Sequence, residues 1–297
     1  MPFNNKILTD IKPVLCGYLS EAQNLLDPSV LPNEKVIHDV RVLMKKSRAA
    51  VRLLKPLMDE ASFKREYLTF RNIGRLMSTW RENSVHRKLL KDIKKRFPEL
   101  FSHLKDNEKI NRLLGKQSVV SEPSKEMSDD LATIVELLRR SSFRLRFRQL
   151  DIHDQNLIKA ELEKTFDKVS DCYLKARNYP KNINLHEFRK KTKDFLYQLF
   201  FFRLVDPRAI RNLEKRLESL GQNLGKYNDY AVLINTIGYR YPSGENNSAI
   251  DELIVIVKQE QDKSLLKIWP PAYRIFRPGK KLANLPGFRT YESPIIP

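Results

Sequence analysis

The sequence predicts an all-α protein made of two copies of one helical unit. Three observations lead there. Amphipathic patterns, with apolar residues three and four apart, cover most of the 297 residues. Only nine glycines and a 31% charged fraction favour helices over a sheet-rich fold. Two stretches recur in the same order at offsets of 148 and 147 residues, half the chain.

In chain order, helices are expected near 5–26, 33–57, 60–80, 82–97, 106–115, 126–150, 154–178, 184–204, 207–225, 228–240 and 247–268. The first ends at the turn-rich "DPSVLPN" of 27–33. Asn33 is the expected N-cap of the second, whose apolar stripe is Ile37, Val40, Met44, Val51 and Leu54. "QSVVSEPS" at 117–124 separates the helices of the first unit from the one starting near 126. Within that helix "FRLRFR" (143–148) alternates like a strand, but the longer pattern around it is helical. "RNYPKNIN" at 177–184 makes the next break, and "NLHE" at 184–187 reads as a capping box with Asn184 as N-cap. The stripe that follows is Leu185, Phe188, Phe195, Leu199 and Phe202. "YPSGENNS" at 241–248 precedes the last helix. The two units are assigned to 1–120 and 125–269, with a proline-rich tail at 270–297. From Trp269 onward, prolines argue against regular helix, so an extended segment lying on the body is expected. Its aromatic and basic residues could touch a nucleic acid, or Trp269, Tyr273 and Phe276 could pack on the helices.

The repeat carries the chemistry. "HDVRVLMKKSRAAVRLLK" begins at His38 and "HEFRKKTKDFLYQLFFFR" at His186. Each continues with an acid, then Arg41 or Arg189, then Lys45 or Lys193, and ends on Lys55 or Arg203. Downstream, Gly74 matches Gly221, Trp80 matches Tyr227, and Glu82 matches Asp229. A weaker echo pairs "CGYLSEAQN" (16–24) with "DCYLKARN" (171–178).

The basic residues keep one phase. His38, Arg41, Lys45, Arg48, Arg52 and Lys55 form a stripe rotated about 100° from the apolar one and about 25 Å long at 1.5 Å per residue. The second stripe is His186, Arg189, Lys193 and Arg203, with Lys190 alongside, interrupted by Leu196 and Phe200. Like charges at these spacings destabilise an isolated helix by a few tenths of a kcal/mol per pair, roughly. A rail of one sign therefore suits a linear polyanion better than bulk water. The histidines are expected in early helical turns, where an anion is favoured and an imidazole N–H can donate to it. A histidine bonded inside the bundle is the plain alternative. Glu82 and Asp229 are expected to orient an arginine, and Gly74 and Gly221 to let helices approach closely.

The net charge of +19 agrees with a polyanionic partner, whether nucleic acid, anionic membrane or phosphate polymer. Two cysteines, Cys16 and Cys172, make no metal motif or disulfide framework, and a reducing cytoplasm is expected. The first residues lack the apolar core of a signal peptide, and the longest apolar runs, such as "LIVIV" at 253–257, are too short to span a bilayer.

Paired His-x-x-Arg-x-x-x-Lys helices, each followed by a glycine-containing helix ending in Arg81-Glu82 or Asn228-Asp229, resemble the CHAD family, the conserved-histidine α-helical domain. The resemblance covers about 5–268. It implies two bundles related by a pseudo-twofold axis, with a basic groove or pore between them. It also implies binding of inorganic polyphosphate, with phosphate or sulfate ions as mimics, and association with polyphosphate granules. No cofactor is implied, and a stand-alone binding module is expected. One departure stands out: the family's second basic helix usually reads Leu-Arg-Tyr where this chain has Phe195-Leu196-Tyr197, so a basic contact is missing from the second copy.

Two other functions compete. His38-Asp39 and His153-Asp154 suggest a metal phosphohydrolase, but such enzymes need several His and Asp converging on a metal, Asp39 points about 100° away from His38 on its helix, and the basic neighbours would repel a cation. "ELEK" at 161–164 is a faint echo of a triphosphate-hydrolase motif inside a helical pattern. An RNA- or ribosome-binding protein would use the same electrostatics, yet RNA recognition adds aromatic stacking, which the two rails lack.

Overall fold

The structure, a computed structural model, describes residues 11–27, 29–79, 82–105, 107–114, 125–150, 155–240 and 248–289. The expected helix start at 5, the breaks at 117–124 and 241–247, Trp80, Arg81, the His153–Asp154 pair and the last eight residues lie outside them. So does the side chain of Glu82.

Among the described residues the chain is all α-helical, without a strand. The helices are α1 (Ile11–Leu25), α2 (Glu34–Leu53), α3 (Glu60–Thr79), α4 (Glu82–Arg96), α5 (Pro98–His103) and α6 (Glu108–Leu113). They continue with α7 (Lys125–Phe147), α8 (Gln155–Asn178), α9 (Asn182–Leu199), α10 (Pro207–Arg240) and α11 (Ser248–Phe276). Short 3-10 turns at Lys55–Leu57 and Phe200–Phe202 follow α2 and α9, and another covers Leu282–Asn284.

Both apolar stripes are buried along their length, from Ile37 to Leu54 and from Leu185 to Phe202. That burial sets the packing. Helix α2 lies between α1 and α3, α9 lies between α8 and α10, and α2 and α9 pack on each other. Side chains from all six join one continuous core. Helix α7 packs against α1 and α3. Its Ser141 Oγ donates to Glu66 Oε2 at 2.5 Å, and Arg144 Nε donates to Glu66 Oε1 at 2.6 Å. The Glu66 side chain is 1% exposed, so the pairing answers the cost of burying a carboxylate. A second core joins α4, α5 and α6 to the end of α10 and the start of α11.

Four expectations need correcting. The helices expected at 207–225 and 228–240 are one continuous helix, α10. Helix α9 starts at Asn182, with Lys181 at the cap position, so Asn184 is not the N-cap. The Asn184 amide instead donates to the Tyr179 carbonyl at 2.7 Å. A short helix the pattern did not suggest, α5, begins with Pro98.

The fourth concerns the prolines. Helix α11 runs through Pro270 and Pro271 to Phe276 where an extended segment was expected. The carbonyls that lose an N–H donor to the prolines belong to Leu266 and Lys267, both on the exposed face and open to solvent. On the other face Ile268, Ala272, Ile275 and Phe276 are buried, and Phe276 meets Phe166, Phe188 and Phe195. Burying such a ring contributes about 1.5–3 kcal/mol, which offsets the helix defect. Tyr273 stays exposed, while Trp269 packs edge-on to Tyr173.

Candidate functional site

Asn33 caps α2 as its sequence position suggests: its Oδ1 accepts from the Lys35 and Val36 N–H groups, both at 3.0 Å. His38 is then the fifth residue of α2, and His186 is the fifth of α9. His38 is exposed. His186 is half-buried, with Nδ1 2.6 Å from Asn228 Oδ1 on α10. An amide oxygen can only accept, so this contact puts a proton on Nδ1.

The next residues of each rail meet a glycine-bearing helix. Arg41 Nη1 donates to the Gly74 carbonyl of α3 at 2.6 Å. On the other side, Arg189 and Lys193 lie against Gly225 and Gly221 of α10. A Cβ at Gly221 would stand 3.0 Å from Lys193 Cε and 3.3 Å from its Nζ. At Gly225 it would stand 3.6 Å from Arg189 Nε. The expected role of these glycines is thus corrected. Gly221 makes room for a lysine arm rather than a helix, and a Cβ at Gly74 would meet nothing within 4 Å.

Between α2, α3 and α9 lies a cavity of about 300 Å³. Lys45, Arg48 and Arg52 enter it from α2, Arg71 from α3, and Arg189, Lys190, Lys191 and Lys193 from α9. Against these eight cations stand two acids, Glu187 and Asp194. Both acids are committed: Glu187 pairs with Lys190 at 2.6 Å, and Asp194 pairs with Arg52 across the helix interface. Arg52 also donates to the Tyr67 hydroxyl at 2.6 Å and lies over that ring, 4.9 Å from its centre. Burial works against the charge of Arg52, but Asp194 and Tyr67 outweigh it and raise its pKa.

The remaining cations are not balanced in this way. Arg48, Arg71, Arg189, Lys191 and Lys193 form no ion pair among the described residues. The Nε atoms of Arg48 and Arg189 are buried without a hydrogen-bond partner. Burial pushes the Lys193 ammonium below its ordinary value, Arg189 pushes it the same way, and Glu218 opposes both. Burial also raises the phenol of Tyr197 on the cavity wall. The cavity thus holds positive charge that the protein itself leaves partly uncompensated.

Of the residues singled out in the sequence, Lys45, Arg48, Arg52, Arg189, Lys190 and Lys193 line this cavity. His38, Arg41, His186, Lys55 and Arg203 do not. Lys55 sits in the 3-10 turn with its ammonium 5.4 Å from the Phe63 ring centre. Arg203 Nε is held by both Glu214 oxygens, at 3.0 and 2.8 Å. Asp229 is half-buried on α10. The sequence reading missed Arg71, Lys191, Tyr67 and Tyr197. Lys191 was accessible in the "RKKTK" run at 189–193, whereas Arg71 lies on a different helix and enters only through tertiary packing.

Among the described residues no group of three or more His, Cys, Asp or Glu side chains could hold a metal ion. Glu161 of "ELEK" forms a local pair with Lys164 at 2.6 Å on α8. No described helix is long and apolar enough to cross a membrane.

A comparison with the curated proteins found no match to the chain. The CHAD domain family matches residues 14–238, which takes in most of α1, all of α2 to α9 and nearly all of α10. The match spans both His-x-x-Arg-x-x-x-Lys helices and the cavity wall they form, and the chain belongs to the CHAD family.

Proposed function

We propose that this chain binds inorganic polyphosphate, without hydrolysing it, in the cavity between α2, α3 and α9. The observation that carries the reading is the charge of that cavity: eight cations against two acids that are already paired. Polyphosphate binding is the known role of the family, whose domains are generally non-catalytic binding modules. Arg48 and Arg189 face the cavity from opposite helices without an ion-pair partner among the described residues, and a phosphate between them would supply the missing negative charge. Arginine suits this task because its planar fork grips two oxygens at once. Lys193 would recover its full basicity beside an anion.

The repeat is part of the same proposal. The helix triplets α1-α2-α3 and α8-α9-α10 pack in the same order, and each places its histidine fifth in the central helix. A pseudo-twofold axis between α2 and α9 accounts for both rails reaching one cavity. His38 and Arg41 lie about two turns and one turn before Lys45 on α2, and His186 directly precedes Glu187 on α9, so all three would meet a chain leaving the cavity. Location in the cytoplasm, with association to polyphosphate granules, follows from this ligand.

Arg48→Ala combined with Arg189→Ala tests the reading. Two charged hydrogen-bonding groups at roughly 1–2 kcal/mol each predict a loss of about 2–4 kcal/mol in binding. Calorimetric titration with a polyphosphate of defined length, beside thermal melting of the same preparations, reads it. Unchanged affinity per folded molecule would remove the cavity as the site.

A further inference from the structure

The chain beyond the family match helps build a second cationic concavity, open to solvent. After α11, residues 277–289 turn back across the first turns of α10. Leu282, Leu285 and Phe288 are buried in the main core, so the segment is anchored rather than draped. Gly287 fixes its seat: its φ is +92°, and a Cβ there would stand 2.8 Å from Ile210 Cδ1.

Two adjoining cavities result, of about 290 and 720 Å³, and they share Lys280. Arg208, Arg216 and Arg274 line the first, and Arg277 and Arg289 the second. None of these six cations forms an ion pair among the described residues. The acid present, Asp206, already accepts from the Ala209 N–H at 2.9 Å. Lys280 Nζ donates to the neutral Arg274 carbonyl at 2.6 Å, and Arg289 Nε donates to the Asn284 carbonyl at 3.1 Å. Backbone groups therefore hold two of the cations in position without neutralising them. Burial depresses the Lys280 ammonium, and Arg277, Arg289 and Arg216 depress it further. Packing of the apolar anchors keeps mutually repelling charges together around an open space, which is the arrangement of an anion receptor.

We propose that these joined cavities are a second oligophosphate site, separate from the one between α2 and α9 and assembled by the C-terminal segment on α10. The choice of ligand class rests on the proposed function; the location does not. Guanidinium groups from α10, from the end of α11 and from the returning segment line the space, so a ligand carrying several phosphates is recognised better than a single ion. A protein with two such sites holds a long polyphosphate at two points and gains avidity with chain length.

Calorimetric titration with tripolyphosphate at low salt tests this on the full chain. Wild type is expected to bind two molecules. Arg216→Ala with Lys280→Ala should abolish one event or weaken it at least tenfold and leave the other. Arg48→Ala with Arg189→Ala should do the reverse. Arg277→Ala with Arg289→Ala, on exposed positions, repeats the test should the first pair disturb the fold. Lys94→Ala with Lys95→Ala removes equal charge from exposed positions on α4 and should leave both events intact. One event in wild type, lost only with Arg48 and Arg189, overturns the second site and leaves the first standing. Equal weakening by the α4 pair overturns it as well, since net charge would then be the cause. If the Arg48 and Arg189 pair alone has no effect, the first site fails and the second stands.

Discussion

Replacing Gly221 by alanine should move stability and binding in opposite directions. Glycine inside a helix costs roughly 0.5–1 kcal/mol relative to alanine, so α10 should gain about that much. For a chain of this size the gain corresponds to about 1–3 °C in melting temperature. The added methyl would lie 3.0 Å from Lys193 Cε and 3.3 Å from Nζ. Carbon contacts settle near 3.5–4.0 Å, roughly, so the lysine arm must retreat by about 0.5–1 Å. A flexible arm does so at little cost to the fold. Yet it shifts a charged donor away from its place on the cavity wall. Partial loss of one charged contact is worth about 1–2 kcal/mol, or roughly five- to thirtyfold in affinity. Gly74→Ala is the matched control, because nothing lies within 4 Å of a Cβ there. It should bring the same helical gain with no change in binding. Calorimetry with polyphosphate and thermal melting on wild type and both variants measures all four quantities. Gly221→Ala binding as tightly as wild type would show that Lys193 does not contact the ligand. A loss of affinity that merely tracks a loss of stability would refute the opposing signs.

Three further outcomes are expected. Glu66→Ala leaves the partly buried Arg144 without its acid and removes the α3–α7 clamp, so stability should drop by about 3–5 kcal/mol. Affinity per folded molecule should hold, and a drop in affinity at full folding would place Glu66 in the binding network. Lys193 has a folded pKa below its ordinary 10.5, and a bound anion raises it again. Binding therefore takes up protons between the two values, and affinity should fall as pH rises through that window. The unliganded fold responds the other way, gaining stability there because its unfolded state holds more protons. Lys193→Arg should flatten the affinity profile, and an unchanged profile would assign the titration elsewhere. Finally, incubation with polyphosphate and Mg²⁺ should release no phosphate above a blank. Turnover abolished by Asp39→Asn would instead support a phosphohydrolase.

Helix periodicity, the buried stripes and the Asn33 cap were legible because they depend on residues close in sequence. The rails were legible for the same reason, and their central members converge on one cavity. Their ends were not. Arg203 carries the rail's phase, yet Glu214, which arrives on the next helix, binds its Nε with both oxygens. Arg52 looked like one more free cation until α9 brought Asp194 to it. Asn184 was read as a cap because it precedes His186, but the chain turns at Tyr179 and Pro180, so the helix starts earlier. Pro270 and Pro271 mislead local reasoning most, since only the aromatic cluster around Phe276 keeps that helix going. For Arg203, Arg52 and the two prolines the deciding partner lies on another helix, where spacing along the chain carries no information.

Competition between polyphosphate and RNA tests the central claim most directly. Both ligands exploit positive charge and both weaken with salt. RNA gains further from stacking on open aromatic faces. In the cavity, the Tyr67 ring is covered by Arg52, and Tyr197 is half-buried. Labelled RNA bound to the wild-type chain should therefore be displaced by polyphosphate at equal phosphate concentration, and Arg48→Ala with Arg189→Ala should remove that advantage. RNA that resists displacement, or that displaces polyphosphate, would contradict the account.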